Sequence, residues 1–232
     1  MDIKSIFLKC IKYEINREAV PLIDEELSEE QLAELYQLTR SHDLTHIIAK
    51  TLKAENKLVN QQLEKAFTSS LHVALFCDEQ KRFVKTQIAK VFEEVKIAHV
   101  LLKGAVLSNY YPESWMRNSC DLDVLVRLED LEEASNILIQ KLGYTLGKRS
   151  SHDITLFATN GIIVELHYDL IEVMPRVDNI LSKVWEDVIL EENSEANYIM
   201  PDELFYFYHI AHMAKHFAHG GCGIRSFIDV WI

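Results

Sequence analysis

Two aspartates one residue apart, Asp121 and Asp123, open the segment Asp121-Leu122-Asp123-Val124-Leu125-Val126. In a strand, residues two apart share a face. Both carboxylates then stand side by side, while Leu122, Val124 and Val126 turn into a core. Two like charges this close repel unless a cation lies between them. Hard oxygen ligands at this spacing suit Mg²⁺ or Mn²⁺. An Asp-x-Asp pair is common, and alone it fits a solvated strand end equally well. A third carboxylate, Glu165, lies inside the apolar run Val164-Glu165-Leu166-His167. Strand interiors rarely hold a charge without a partner. If this strand lies beside the Asp121 strand, three carboxylates form a pocket for two divalent ions. Two ions about 4 Å apart can activate a hydroxyl and clamp a triphosphate, as phosphoryl and nucleotidyl transfer require. The alternative is an edge strand with Glu165 facing water. His167 shares the Glu165 face and either supports a ligand or is an ordinary surface histidine.

Basic residues flank the carboxylates. Lys103-Gly104-Ala105 falls at a strand-to-helix turn. Glycine there lets the backbone approach phosphate oxygens, and a helix N-terminus favours anions. Lys103 adds a point charge. Arg117 precedes Asp121 by four residues and either contacts phosphate or balances the acidic cluster. Farther on, His209, His212, His216 and His219 share one helical face. Three readings are open. Histidines four apart can bind zinc, although Met213-Ala214-Lys215 fill the interval and no HExxH is present. The face can instead pack on a catalytic cleft, with Lys215 or His216 reaching substrate phosphate. It can also be a partly exposed histidine-rich helix.

The elements that must position these residues are legible in outline. The chain to about residue 95 reads as helices. Ser28-Glu29-Glu30-Gln31 matches a capping box, and Leu27 can staple onto Leu32. A helix is expected over residues 44–52. A long one is expected over residues 61–95, with Leu63, Phe67, Leu71, Phe76 and Phe83 as core positions. Residues 98–102 read as a strand ending at the Lys103-Gly104 turn. A short helix follows over residues 105–111, before Pro112. Asp121 to Val126 reads as a central strand, and Leu128 to Leu142 as a helix capped by Gly143. Residues 154–158 and 162–167 form an antiparallel pair turned at Asn160-Gly161, a strong hairpin signal. After Pro175 the chain reads as helical, most clearly over residues 201–219. The order predicts an α+β core with a small mixed sheet. Three regions are expected: N-terminal helices over 1–95, a core over 96–175 and C-terminal helices over 176–232. The last apolar residues, Val230-Trp231-Ile232, carry no helix stop signal, which reads as a chain cut short of its natural C-terminus.

Composition bounds the possibilities. Of 232 residues, 48% are hydrophobic and 26% charged, ordinary for a globular chain able to bury a real core. The formal net charge of -12 opposes phosphate backbones and argues against broad nucleic-acid binding. Cys10, Cys77, Cys120 and Cys222 form no CxxC pair, which suits a reducing, cytoplasmic setting. No apolar run is long enough for a signal peptide or a membrane span.

Taken together, these residues resemble the DNA polymerase beta-like nucleotidyltransferase superfamily. There, a glycine turn opens a short helix, an Asp-x-Asp follows on the next strand, and a third carboxylate comes from a later strand. More closely, the chain is similar to a bacterial family of uncharacterised nucleotidyltransferases. The likeness rests on Leu102-Lys103-Gly104, Tyr111-Pro112, Arg117, Asp121-Leu122-Asp123-Val124-Leu125-Val126, Glu165-Leu166-His167 and Lys215-His216, with His42-Asp43-Leu44 upstream. It is strong over residues 98–170 and looser elsewhere. The resemblance implies that Asp121 and Asp123 bind two Mg²⁺ or Mn²⁺ ions and that Glu165 completes the site and assists the incoming hydroxyl. The expected reaction moves a nucleoside monophosphate from an NTP, such as ATP, to a hydroxyl and releases pyrophosphate. The acceptor would be a small molecule or a protein side chain, since an RNA end fits the acidic charge poorly. Two features depart from the superfamily: Ala105 stands where a phosphate-contacting serine is common, and the Gly104–Asp121 interval is long. Two rivals remain. One is a catalytically degenerate protein of the same fold that binds a nucleotide or a partner. The other is a glycosyltransferase holding a sugar nucleotide through Asp-x-Asp, which would want a longer nucleotide-binding sheet before the pair.

Overall fold

The structure is a computed structural model that describes residues 2–17, 26–119 and 121–232. Cys120 lies outside the described residues. In chain order the helices and strands are α1 (Ile3–Asn16), α2 (Glu29–Ser41), α3 (Thr45–Ala54), α4 (Gln61–Val95), β1 (His99–Leu101), α5 (Gly104–Leu107), β2 (Asp121–Val126), α6 (Leu131–Leu142), β3 (Thr145–Arg149), β4 (Asp153–Phe157), β5 (Ile163–His167), α7 (Pro175–Leu181), α8 (Val184–Asp187), β6 (Ile189–Leu190), β7 (Asn197–Ile199), α9 (Asp202–Ala218) and α10 (Ile224–Trp231). The fold is α+β, as expected. Its contacts group into two compact units. One comprises Met1–Asp78, Ser108–Asn118 and Cys222–Ile232; the other comprises Glu79–Leu107 and Ser119–Gly221.

The first unit is helical. Ser28 caps α2 through the Gln31 amide, and the Gln31 side chain accepts from the Ser28 amide in return. Two otherwise orphaned donors are thereby satisfied. Leu27 and Leu32 are buried in the core, with Ile6, Phe7, Leu35, Ile47, Ile48 and Phe67. A buried salt link, Arg117 to Asp229, ties Ser108–Asn118 to the C-terminal helix α10.

The second unit is built on a seven-stranded sheet in the order β3-β4-β5-β2-β1-β7-β6. β2 is central: it pairs antiparallel with β1 and parallel with β5. Apolar side chains alternate to both faces of β2 because both faces are covered. Leu122, Val124 and Val126 pack with Val84, Ile88 and Phe92 of α4 and with Leu131, Ala134 and Leu138 of α6. Leu125 faces the other way, into a cluster with Val100, Leu102, Leu181, Phe205 and Tyr208. Gly143 ends α6 in the left-handed conformation at φ 69, which glycine adopts without strain. Gly161 turns the β4–β5 hairpin at φ 86.

Three expectations need correcting. Phe76 and Phe83 are 63% and 56% exposed, while Ala74, Val84, Ile88 and Phe92 fill the buried face of α4. Phe76 sits two residues beyond Ala74, roughly 200° around the helix. The short helix after Lys103 ends at Leu107, and Tyr111 lies beyond it in non-helical chain, buried and bonded to Asp229. The segment after Pro175 is not helical throughout: β6 and β7 form an antiparallel pair, and β7 extends the sheet beside β1.

Candidate functional site

The parallel pairing of β2 and β5 places Asp123 directly opposite Glu165, and Asp121 opposite Ile163. Residues two apart share a face, so Asp121, Asp123, Glu165 and His167 all lie on the side of the sheet that carries Leu125. Beyond Leu125 that side opens into a small cleft. Lys103, His152, His167, Asp169, Glu172, Tyr208, His212 and Lys215 line it.

Asp123 is the hub and is only 3% exposed. Its Oδ1 accepts from Lys103 Nζ at 2.7 Å and from His167 Nε2 at 2.8 Å. His167 Nε2 also lies 3.4 Å from Glu165 Oε2. Burial would raise the Asp123 carboxyl, but the His167 hydrogen bond and the Lys103 charge hold it well below the ordinary range. Burial would likewise lower His167 and Lys103. The bond to Asp123 raises both above their ordinary values, so each stays cationic more readily. Asp121 behaves oppositely: burial, then the charges of Asp123 and Glu165, push its carboxyl up.

Lys103 reaches Asp123 from a strained position. Its φ is 45, in the left-handed region that non-glycine residues rarely adopt. In this turn Lys103 carries the unusual dihedral and Gly104 starts the helix α5. The amides of Ala105 and Val106 donate to Leu102 O and Lys103 O.

Among the described residues, the side chains able to hold a metal ion together are Asp123, Glu165 and His167. One ligand atom from each lies within 4.8 Å of the others. The donor set of two carboxylates and an imidazole fits a divalent ion. Asp121 shares the face as a further oxygen donor. Spacing alone could not assign His167, because its hydrogen bond to Asp123 depends on the strand register.

The other basic residues are differently engaged. Arg117 belongs to the helical unit, buried, with Nε 2.7 Å from Asp229 Oδ1. Lys215 donates to Ile171 O at 2.9 Å and lies 3.5 Å from Glu172 Oε2. His216 Nε2 meets His212 Nε2 at 3.0 Å. No local sequence pattern marks Glu172. It is 3% exposed. Burial pushes its carboxyl up, yet the His212 hydrogen bond and the charges of His212 and Lys215 hold it below its ordinary value.

The sequence profile of a family described as uncharacterised nucleotidyltransferase matches residues 28–232. The chain belongs to this nucleotidyltransferase family. Among solved structures, it is similar to the one titled "Solution Structure of Antibiotic-Resistance Factor ANT(2'')-Ia Reveals Substrate-Regulated Conformation Dynamics". The identity is 10% and the TM-score 0.41, over 66% of this chain and 91% of that chain. No curated protein matches the chain significantly. No helix among the described residues is long and apolar enough to cross a membrane.

Proposed function

We propose that this nucleotidyltransferase moves a nucleoside monophosphate from an NTP to a hydroxyl of a small molecule or protein and releases pyrophosphate. The observation that carries this reading is the register pairing of Asp123 with Glu165, with Asp121 on the same face. Asp121, Asp123 and Glu165 would hold Mg²⁺ or Mn²⁺, with His167 beside them as support or as a ligand. When bound, the ions would neutralise triphosphate charge and make the acceptor hydroxyl easier to deprotonate.

The protein's own groups do the rest. Lys103 can turn its ammonium from Asp123 to a phosphate oxygen, since both are acceptors within reach of one flexible side chain. His167 holds the Asp123 carboxylate in one orientation. Glu165 is less buried than Asp123 and would take the acceptor's proton. Lys215 and His216 stand on α9, whose His212 and Lys215 line the same cleft, and would contact the outer phosphates. Arg117, paired with Asp229, has no part in this scheme. Positioning and charge neutralisation supply most of the rate in such transfers.

A second reading is a protein of this fold that binds nucleotide or a partner without catalysis. The Lys103 ammonium already neutralises Asp123, and this contact favours it. Thermal unfolding with each NTP, with and without Mg²⁺ or Mn²⁺, separates the two. Metal-dependent stabilisation by an NTP that Asp123→Asn abolishes, together with pyrophosphate release, supports transfer. No shift with any NTP and metal would sink it. Stabilisation that needs no metal and survives Asp123→Asn would establish the binding reading.

A further inference from the structure

Of the three histidines on α9 and His219 at its C-terminal cap, two converge. His219 Nδ1 is bonded to Lys215 O, and the buried His209 stacks on Phe205. His212 and His216, one helical turn apart, bring their Nε2 atoms to 3.0 Å. The other ring nitrogen of His212, Nδ1, lies 3.0 Å and 3.3 Å from the two oxygens of Glu172.

The Glu172 carboxylate decides the tautomer. An ionised carboxylate only accepts, so His212 Nδ1 carries the hydrogen. The Nε2 of a neutral His212 is then a lone pair aimed at His216 Nε2. Two imidazole nitrogens facing each other at this distance need a proton or a metal ion between them. A buried carboxylate behind one ring is the usual means of orienting a metal-binding histidine and raising its basicity. Glu172 is itself fixed: Lys215 Nζ lies 3.5 Å from its Oε2, and its backbone amide donates to Asp178 Oδ1 at 2.8 Å.

We infer that His212 and His216, oriented by Glu172, form a second metal site on α9, selective for a borderline transition ion such as Zn²⁺, Ni²⁺ or Cu²⁺. Imidazole donors favour these ions over Mg²⁺, so the site is chemically distinct from the carboxylate face. No third His, Cys, Asp or Glu among the described residues gathers with the pair. Water or a ligand oxygen fills the remaining positions, and the ion is exchangeable. Because His212 lines the cleft, a bound ion adds positive charge at its wall. The inference stands without the nucleotidyl-transfer reading.

The test is calorimetric titration of Zn²⁺ into the full chain after EDTA treatment, near neutral pH and with Mg²⁺ in excess to occupy the carboxylate face. One Zn²⁺ binds wild type and Asp123→Asn alike. His216→Asn, at an exposed position that tolerates the change, weakens binding at least tenfold. Glu172→Gln weakens it roughly tenfold. The Cu²⁺-loaded protein shows electron-spin coupling to two imidazole nitrogens, where a site at His167 would show one. Zn²⁺ affinity unchanged by His216→Asn, absent binding, or a single coupled nitrogen overturns the site and leaves a proton-shared histidine pair. None of these outcomes touches the Mg²⁺–NTP test of Asp123.

Discussion

Lys103 Nζ lies 2.7 Å from Asp123 Oδ1, with the two side chains 19% and 3% exposed. Removing one partner of a buried pair generally costs about 3–5 kcal/mol. His167 also holds Asp123, so Lys103→Met should cost less, about 2–3 kcal/mol. A divalent ion at Asp123 can replace the lost ammonium. Urea unfolding should therefore show Mg²⁺ stabilising Lys103→Met more than wild type. An equal Mg²⁺ effect on both proteins would mean that the ion does not reach Asp123.

Arg117 separates motif from geometry. Four residues before Asp121 it reads as a phosphate contact, but its bonding partner Asp229 lies 112 residues away in sequence. Tyr111 donates to the same Asp229 oxygen at 2.6 Å. Arg117→Met leaves the buried Asp229 without its cationic partner and should cost about 3–5 kcal/mol. The NTP-dependent rise in melting temperature should survive in this variant, measured below its own transition. Loss of that rise at retained folding would return Arg117 to the nucleotide site.

The long helix yields a prediction where its pattern misleads. Phe92 is fully buried and Phe76 largely exposed. Phe92→Ala should cost about 3–5 kcal/mol, and Phe76→Ser should stay within about 0.5 kcal/mol of wild type. Chemical denaturation of the two variants measures both. A large loss for Phe76→Ser would show that this ring is covered in solution.

Local chemistry explains what the sequence revealed. Ser28 and Gln31 announce a helix start because a cap needs only neighbouring residues. Asn160-Gly161 announces a hairpin because a left-handed turn restricts the residues that fit. β2 announces itself by an apolar run behind two aspartates. β3 carries no such signal because it is an exposed edge strand, Thr145-Leu146-Gly147-Lys148-Arg149, without apolar alternation. The links of His167 to Asp123 and of Glu172 to His212 span 44 and 40 residues. No local pattern encodes such a pairing; it follows from strand register and from the packing of α9.

His99 provides the pH dependence. It is buried on β1 against Phe92, with Nδ1 bonded to Ile97 O and Nε2 without a hydrogen-bond partner among the described residues. Burial lowers its pKa below the ordinary 6.5, although the Ile97 carbonyl opposes the shift. The unfolded chain therefore binds this proton more readily than the folded one. Where that holds, stability rises with pH. The contribution is complete above pH 6.5 and is lost as the pH falls from there through the folded-state value. His99→Asn keeps a donor for Ile97 O and cannot titrate. Its stability, lower at neutral pH through lost packing, should decline less than wild type between pH 7 and pH 5. Parallel slopes for the two proteins in urea unfolding would assign the acid loss to carboxylates, because the buried imidazole would then contribute nothing to it.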